Sequence, residues 1–251
     1  MENRVVFVSG ASSGLGAHFA KLLVDAGARG IVLAARRMEK LRKLAETLTN
    51  SGECDALCLS MDVTDIVSIR DAFMEAEKRF GVIDVLVNCA GIGIPALALD
   101  MTPEDFDAVY RVNLRGAFFV AQEFAKCLVR QKRPGNIVMI ASILGLRPST
   151  RQSNYGAAKA ALLHCARNLA LELQRYDIRV NSLCPGYFPS EMTESYLKTA
   201  AGRKYISKIP PKRLGRLEEL DGPLLLLASQ ASSFMTGTHV VVDLGHTNAS
   251  L

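Results

Sequence analysis

The sequence has no tryptophan and only four histidines, His18, His164, His239 and His246, too far apart to suggest a ligand pattern. Its six cysteines include no Cys-x-x-Cys pair. Cys54 and Cys58 lie close together, but no histidine stands near them to complete a zinc site. No metal is therefore expected. Cys89, Cys165 and Cys184 sit among apolar residues, so buried reduced thiols and a cytoplasmic location are expected. No apolar run is long enough to span a bilayer, and no cationic leader precedes Val5. No membrane partner is expected. Neither sign of charge dominates: 30 basic and 25 acidic side chains leave a net +5, spread along the chain. That balance is not the footprint of a nucleic-acid binder. The basic residues concentrate only at 36–43 and 203–216. No low-complexity linker and no internal repeat divides the 251 residues. The reading is of one domain spanning residues 1–251.

What the chain does have is alternation. Apolar runs rich in β-branched residues predict buried strands at 5–9, 31–35, 56–63, 84–89, 136–141, 179–183 and 239–243. Helix-compatible stretches separate them at 17–26, 38–49, 65–80, 102–131, 153–176 and 218–229. Thr102 and Pro103 open the fourth helix, with a bend expected near Asn113. Residues 187–216 break the rhythm and read as a variable loop with short helices. Strand-helix alternation implies an α/β fold, a doubly wound, seven-stranded parallel sheet of Rossmann type with helices on both faces. Sites in such sheets lie at the carboxyl ends of the strands.

The residues with chemical potential fall at those ends. Gly10, Gly14 and Gly16, with Ser12, Ser13 and Leu15 among them, link the first strand to the first helix. Glycines let the backbone turn sharply and approach a ligand, and the helix start then offers N–H groups to a pyrophosphate. Tyr155 and Lys159 stand four apart, on one face of a long helix. An ammonium favours phenolate, and bringing a phenol pKa from about 10 to about 7 needs roughly 4 kcal/mol of preferential stabilisation.

These motifs, together with Asp62 and Val63, Asn88 to Gly91, Asn113, Ser142, Asn181, and Pro185 with Gly186, resemble the short-chain dehydrogenase/reductase family in kind and in order. The resemblance implies four catalytic residues. Tyr155 would be the general acid of carbonyl reduction and the base of alcohol oxidation. Lys159 would hold the nicotinamide ribose and depress the Tyr155 pKa. Ser142 would bond the substrate oxygen, and Asn113 would anchor a water. It also implies that Asp62 and Val63 meet the adenine, that Asn88, Ala90 and Gly91 line the cofactor, and that Pro185 and Gly186 border the nicotinamide. Phe188 joins the cofactor contacts. Ser190 stands where many relatives carry a threonine for the carboxamide. Leu244 departs from a common Gly-Gly pair, which puts the local loop geometry in question.

In this family, NAD enzymes carry an acidic residue at the end of the second strand. Here Ala35 holds that position and Arg36 and Arg37 follow, so NADP(H) is the expected cofactor. Ser142, Leu144, Tyr155, Tyr187 and Met192 are the expected substrate contacts, with Ile143, Leu146 and Tyr196 nearby. The expected substrate is a small carbonyl or alcohol, with a 3-oxoacyl thioester as one candidate. The alternatives are a cyclic, steroid-like or sugar alcohol, and, in another class, a cofactor-binding regulatory protein. The family's habit of assembly implies a homotetramer built on the helices at 104–131 and 153–176. Ala157, Ala161, Leu169 and Leu173 are expected to form its apolar outer stripe.

Overall fold

The computed structural model describes residues 1–49, 52, 54–191, 197–210 and 212–249. Its seven strands are β1 (Val5–Ser9), β2 (Gly30–Ala35), β3 (Asp55–Ser60), β4 (Val85–Asn88), β5 (Gly135–Ile140), β6 (Ile178–Pro185) and β7 (His239–Val242). They form one sheet in the order β3-β2-β1-β4-β5-β6-β7. Every neighbouring pair runs parallel. The chain winds outward from β1 to β3, then crosses back to place β4 on the other side of β1. That reversal opens a crevice between the carboxyl ends of β1 and β4, where Ser9 is opposite Asn88.

The alternating direction of strand side chains builds a core on each face. Val5 and Phe7 of β1 point into one core, Val6 and Val8 into the other. The first core takes helices α3 (Ile66–Phe80), α5 (Ala117–Gln131) and α6 (Ser153–Leu173), and α4 (Pro103–Tyr110) packs on α6. Phe7 stacks there on Phe73 with ring centres 4.4 Å apart. The second takes α1 (Gly14–Asp25), α2 (Met38–Thr49) and, from the far end of the chain, α8 (Asp221–Ala228). A further helix, α7 (Ala200–Lys208), lies within the variable region. Thr102 caps α4, accepting the Asp105 N–H on Oγ1 at 3.1 Å, with Pro103 at its first position.

Three expectations need correction. β3 stops at Ser60, not Val63. Beyond it, Asp62 Oδ1 accepts both the N–H and the hydroxyl of Thr64 at 2.8 Å, and this side-chain turn competes with the ladder. The expected bend near Asn113 is a π-helical turn, Arg111–Gly116, inserted between α4 and α5. The apolar outer stripe on α6 is also different. Leu169 is buried in the core and Leu173 packs against it. Twelve residues at 100° each leave Leu169 about 120° around the helix from Ala157, so they never shared a face. The outward face instead carries Ala157, Ala160, His164, Asn168 and Leu171.

Leu244 holds a left-handed φ of 49° and is largely exposed. Where a glycine would adopt this conformation freely, leucine is strained.

Candidate active site

Glycine at two positions decides how closely the crevice can close. A Cβ on Gly10, at φ 71°, would lie 2.8 Å from the Ala90 backbone. A Cβ on Gly16 would lie 2.3 Å from the Gly10 carbonyl oxygen. The missing side chain at Gly10 lets the β1–α1 turn press against the loop after β4, and the one at Gly16 lets the start of α1 close on the turn itself. Ser9 clamps the two from below. Its hydroxyl donates to Asn88 Oδ1 at 2.9 Å and accepts from Cys89 N and Ala90 N at 3.0 and 3.2 Å. Asn88 Nδ2 donates to the Ala117 carbonyl at 2.7 Å, fixing the start of α5. Asn88 thus steadies the crevice from within the core.

The four residues expected to be catalytic converge at the carboxyl end of β5. Ser142 follows that strand, and its Oγ accepts the Leu144 N–H at 3.1 Å, which holds the residue in a tight turn. Lys159 is 4% exposed, and its Nζ donates to the Ile140 carbonyl at 2.7 Å. It also lies 5.7 Å from the centre of the Tyr155 ring, as their spacing on α6 requires. Asn113 is fully buried in the π turn. Its amide group accepts from Ile92 N and donates to Ile92 O, both at 2.8 Å. Gly91 lies between them: a Cβ there would sit 3.3 Å from Asn113 Oδ1 and 3.7 Å from Lys159 Nζ. π turns occur often at functional sites because they re-aim a side chain without ending the helix.

The charges behave differently from the sequence-based expectation. Burial pushes the Tyr155 phenol up to about 12; the Ser142 hydroxyl opposes that shift, while Cys89 and Tyr187 add to it. Burial also lowers the Lys159 ammonium to about 8. Desolvation disfavours both charged forms, so in the protein alone it outweighs any attraction between ammonium and phenolate. The expected depression of the phenol pKa is absent from the protein by itself. Burial likewise raises the Cys89 thiol to about 12, which leaves it inert beside Lys159.

On the cofactor side, Arg36 follows the end of β2, exposed and without a hydrogen bond or ion pair among the described residues. Arg37 is engaged. Its guanidinium donates to Ser12 Oγ at 3.0 Å, to Ser13 Oγ at 2.6 Å and to Glu191 at 2.8 Å. Asp62 is held below the usual carboxylate range, first by the Thr64 N–H and, more weakly, by Arg36. Val63 packs against Gly116 of the π turn. Leu15 leans on the second core, and Ser190 lies beside Gly14. Pro185 ends β6, and Gly186 N donates to Val242 O at 2.9 Å, locking the turn to β7. Phe188, expected to touch the cofactor, is 7% exposed and packs in the second core beside Gly215.

On the substrate side, Leu144 is half-buried beside Ser142. Tyr187 accepts a hydrogen bond from the Tyr205 hydroxyl at 3.2 Å, and its ring lies 5.6 Å from that of His246. Met192 and Tyr196 lie outside the described residues. Tyr205, His246 and Glu191 were not anticipated. His246 is buried, with no partner for Nε2 among the described residues. Only proximity in the fold could have found them, because the aromatic cluster joins residues at 187, 205 and 246.

A parallel doubly wound sheet, a glycine-rich first turn and a Ser-Tyr-Lys set around a buried lysine define the class of nicotinamide-dependent oxidoreductases. The comparisons narrow it. A family model described as enoyl-(acyl carrier protein) reductase matches residues 10–247. A 3-oxoacyl-(acyl-carrier-protein) reductase of Thermotoga maritima is 37% identical, with 98% of each chain covered. An acetoacetyl-CoA reductase of Synechocystis is 33% identical, covering 98% of this chain and 97% of the relative. Among solved structures, a gluconate 5-dehydrogenase of Burkholderia cenocepacia in complex with NADP and tartrate superposes with a TM-score of 0.94. It is 35% identical, with 100% of this chain and 97% of that one covered. The chain belongs to the short-chain dehydrogenase/reductase family.

Proposed function

We propose that this enzyme is an NADP(H)-dependent reductase that interconverts a ketone and a secondary alcohol, with a 3-oxoacyl thioester as its substrate. The observation that carries the reaction is the convergence of Ser142, Tyr155 and Lys159 on the crevice beside the glycine turn. The residues suit a phosphorylated dinucleotide. The missing side chains of Gly10 and Gly16 let the β1–α1 turn fold tightly at the start of α1, and Arg36 follows Ala35, the position where an acidic residue would reject a 2′-phosphate. Gly10, Gly14 and Gly16 would hold the pyrophosphate, and Arg36, together with Arg37 and the hydroxyls of Ser12 and Ser13, the 2′-phosphate.

When bound, the cofactor supplies the hydride. The chain supplies position and a proton. With a pKa of about 12, the Tyr155 phenol keeps its proton at neutral pH and can give it to a carbonyl oxygen. Ser142 orients that oxygen. Lys159, held by the Ile140 carbonyl, brings a positive charge close to the Tyr155 ring. Asn113 fixes the loop after β4, and with it Gly91 and Ile92.

The thioester reading draws support from two relatives whose names denote 3-oxoacyl and acetoacetyl thioester substrates. It also has a surface to work with. Of the basic residues at 203–216, Arg213 and Arg216 share one carboxylate, that of Glu219. Lys204, Lys208 and Lys212 remain exposed and make no ion pair among the described residues. If a polyanionic carrier docks there, kcat/KM for acetoacetyl-CoA falls as salt rises from about 0.05 to 0.5 M, because exposed charges are screened over about 10 Å at 0.1 M. The rate with a small neutral ketone stays nearly level. An acetoacetyl-CoA rate indifferent to salt removes the lysines from the reading, and no turnover of the thioester with NADPH removes the substrate.

A second reading follows from the Tyr187, Tyr205 and His246 cluster. Its hydroxyls and ring nitrogens suit a polyhydroxylated substrate, as in the gluconate 5-dehydrogenase. Turnover of a sugar acid above that of any thioester would favour it.

The enzyme is further proposed to be a cytoplasmic homotetramer. Six free cysteines support a reducing compartment, and no helix of the described residues is long and apolar enough to cross a membrane. Phe106 on α4 and Ala157 and Leu171 on α6 leave apolar surface for a two-fold contact. Light scattering at micromolar concentration is expected to return four times the 27.2 kDa chain mass. A monomer-sized mass would rule the assembly out.

A further inference from the structure

Glu191 belongs neither to the catalytic set nor to the glycine-rich turn, yet its carboxylate holds two of the cations on the cofactor side. It follows Ser190, just beyond β6, at the start of the variable region. Arg37 Nη1 donates to its Oε2 at 2.8 Å, and Lys40 Nζ donates to its Oε1. The other arm of Arg37 reaches Ser13 and Ser12. One carboxylate thus binds two cations, of which Arg37 also reaches two hydroxyls at the mouth of the β1–α1 turn. Lys40 and Arg37 hold the Glu191 carboxyl down to about 2, so it stays ionised throughout the working range.

This is the kind of donor set that takes a phosphate monoester: fixed positive charge with hydroxyls alongside. A carboxylate there is a competitor supplied by the chain itself. It lies more than 150 residues from its partners, so no spacing in the sequence reveals it. We propose that Glu191 is a specificity-determining residue for the cofactor: its carboxylate occupies donors that a 2′-phosphate must take, and so it moderates the preference for the phosphorylated dinucleotide. The proposal rests on the NADP(H) reading above. A cofactor without the 2′-phosphate has no need to displace Glu191, whereas NADP(H) must separate it from Arg37 or Lys40. The side chains of Arg37, Glu191 and Lys40 are 46%, 49% and 45% exposed. Exposed ion pairs are weak, so the effect should be a few-fold, not orders of magnitude.

Calorimetry with adenosine 2′,5′-bisphosphate and with 5′-AMP isolates the 2′-phosphate from catalysis. The quantity read is the ratio of the two Kd values in the wild-type protein, Glu191→Gln and Glu191→Asp. In Glu191→Gln the preference for the bisphosphate is expected to rise about 3- to 10-fold, with a smaller gain in 0.5 M salt. Glu191→Asp keeps the charge and should stay close to wild type. An unchanged or reduced preference in Glu191→Gln would show that the carboxylate merely positions Arg37, and would overturn the proposal. If the wild type discriminates and Glu191→Gln adds nothing, the proposal alone fails. If neither protein discriminates, the NADP(H) reading fails with it. A wild type that does not discriminate beside a Glu191→Gln that does would mean that the carboxylate masks the phosphate site fully, in support of the proposal.

Discussion

Tyr155→Phe is expected to lower kcat by about 10²–10⁴-fold while leaving dinucleotide binding nearly intact, since that is the usual contribution of a positioned general acid. The substitution removes one oxygen and leaves the ring in place on α6. Lys159 keeps its bond to the Ile140 carbonyl, and Ser142 keeps its turn. Lys159→Ala differs in kind. It removes a buried cation that stands close both to the phenol and to Gly91, so binding and rate should both suffer. The pH dependence follows from the same groups. For reduction, the phenol must carry its proton, and with a pKa of about 12 it does so well beyond neutrality. Lys159, at about 8, loses its charge first as pH rises. The reductive kcat/KM reports the free enzyme, so it should be level at neutral pH and decline above about 8. Steady-state kinetics with NADPH and fluorescence titration of the cofactor would measure both halves. Wild-type kcat in Tyr155→Phe on a good substrate would remove Tyr155 as proton donor.

The second large effect is on cofactor choice. The unmodified enzyme should favour NADP(H) over NAD(H) by about 10- to 100-fold in kcat/KM, since one charge-assisted hydrogen bond contributes roughly 1.5–3 kcal/mol. Ala35→Asp combined with Arg36→Ala should reverse that order. Ala35 ends β2 and is buried, whereas Arg36 is exposed and free. An aspartate at 35 would accept from a ribose hydroxyl and repel a 2′-phosphate. Loss of Arg36 would remove the guanidinium that faces the phosphate. Equal or better kinetics with NAD(H) in the unmodified protein would return Arg36 to the solvent.

Much of this architecture was legible because its signals are local. The β1 run from Val5 to Ser9 is wholly buried, as an unbroken β-branched stretch in a parallel sheet should be. Tyr155 and Lys159 are one helical turn apart, and Gly10 to Gly16 lie between a strand and a helix. Family resemblance then supplied Ser142 and Asn113, which single positions could not. What escaped depends on contacts between distant residues. The end of β3 was missed because the Asp62 side chain offers Thr64 a competing turn. The face of Leu169 follows from the helical angle, which turns it inward, and apolar character alone does not reveal that. Glu191 and His246 carry no sequence signal, for their contacts exist only once the segment after β6 meets those after β2 and β7. The Tyr155 pKa in the protein alone has another origin: spacing reports a neighbouring charge but not how much water both groups lose.

The π turn at 111–116 also sets the phase of everything after it. A turn closed from i to i+5 holds one residue more than its α-helical neighbours. α4, before it, packs on α6, while α5, after it, lays Val120, Phe124 and Leu128 into the first core. Without the additional residue the two halves would form one straight helix, with the second turned by about 100° against the first. Either Asn113 would lose Ile92, or α5 would turn its apolar side away from the sheet. Surface loops here can change length with little consequence, but this helix counts residues. A one-residue gap between 111 and 116 in a related sequence is thus a sign that the bond of this buried amide to Ile92 has been given up, even where every other motif survives.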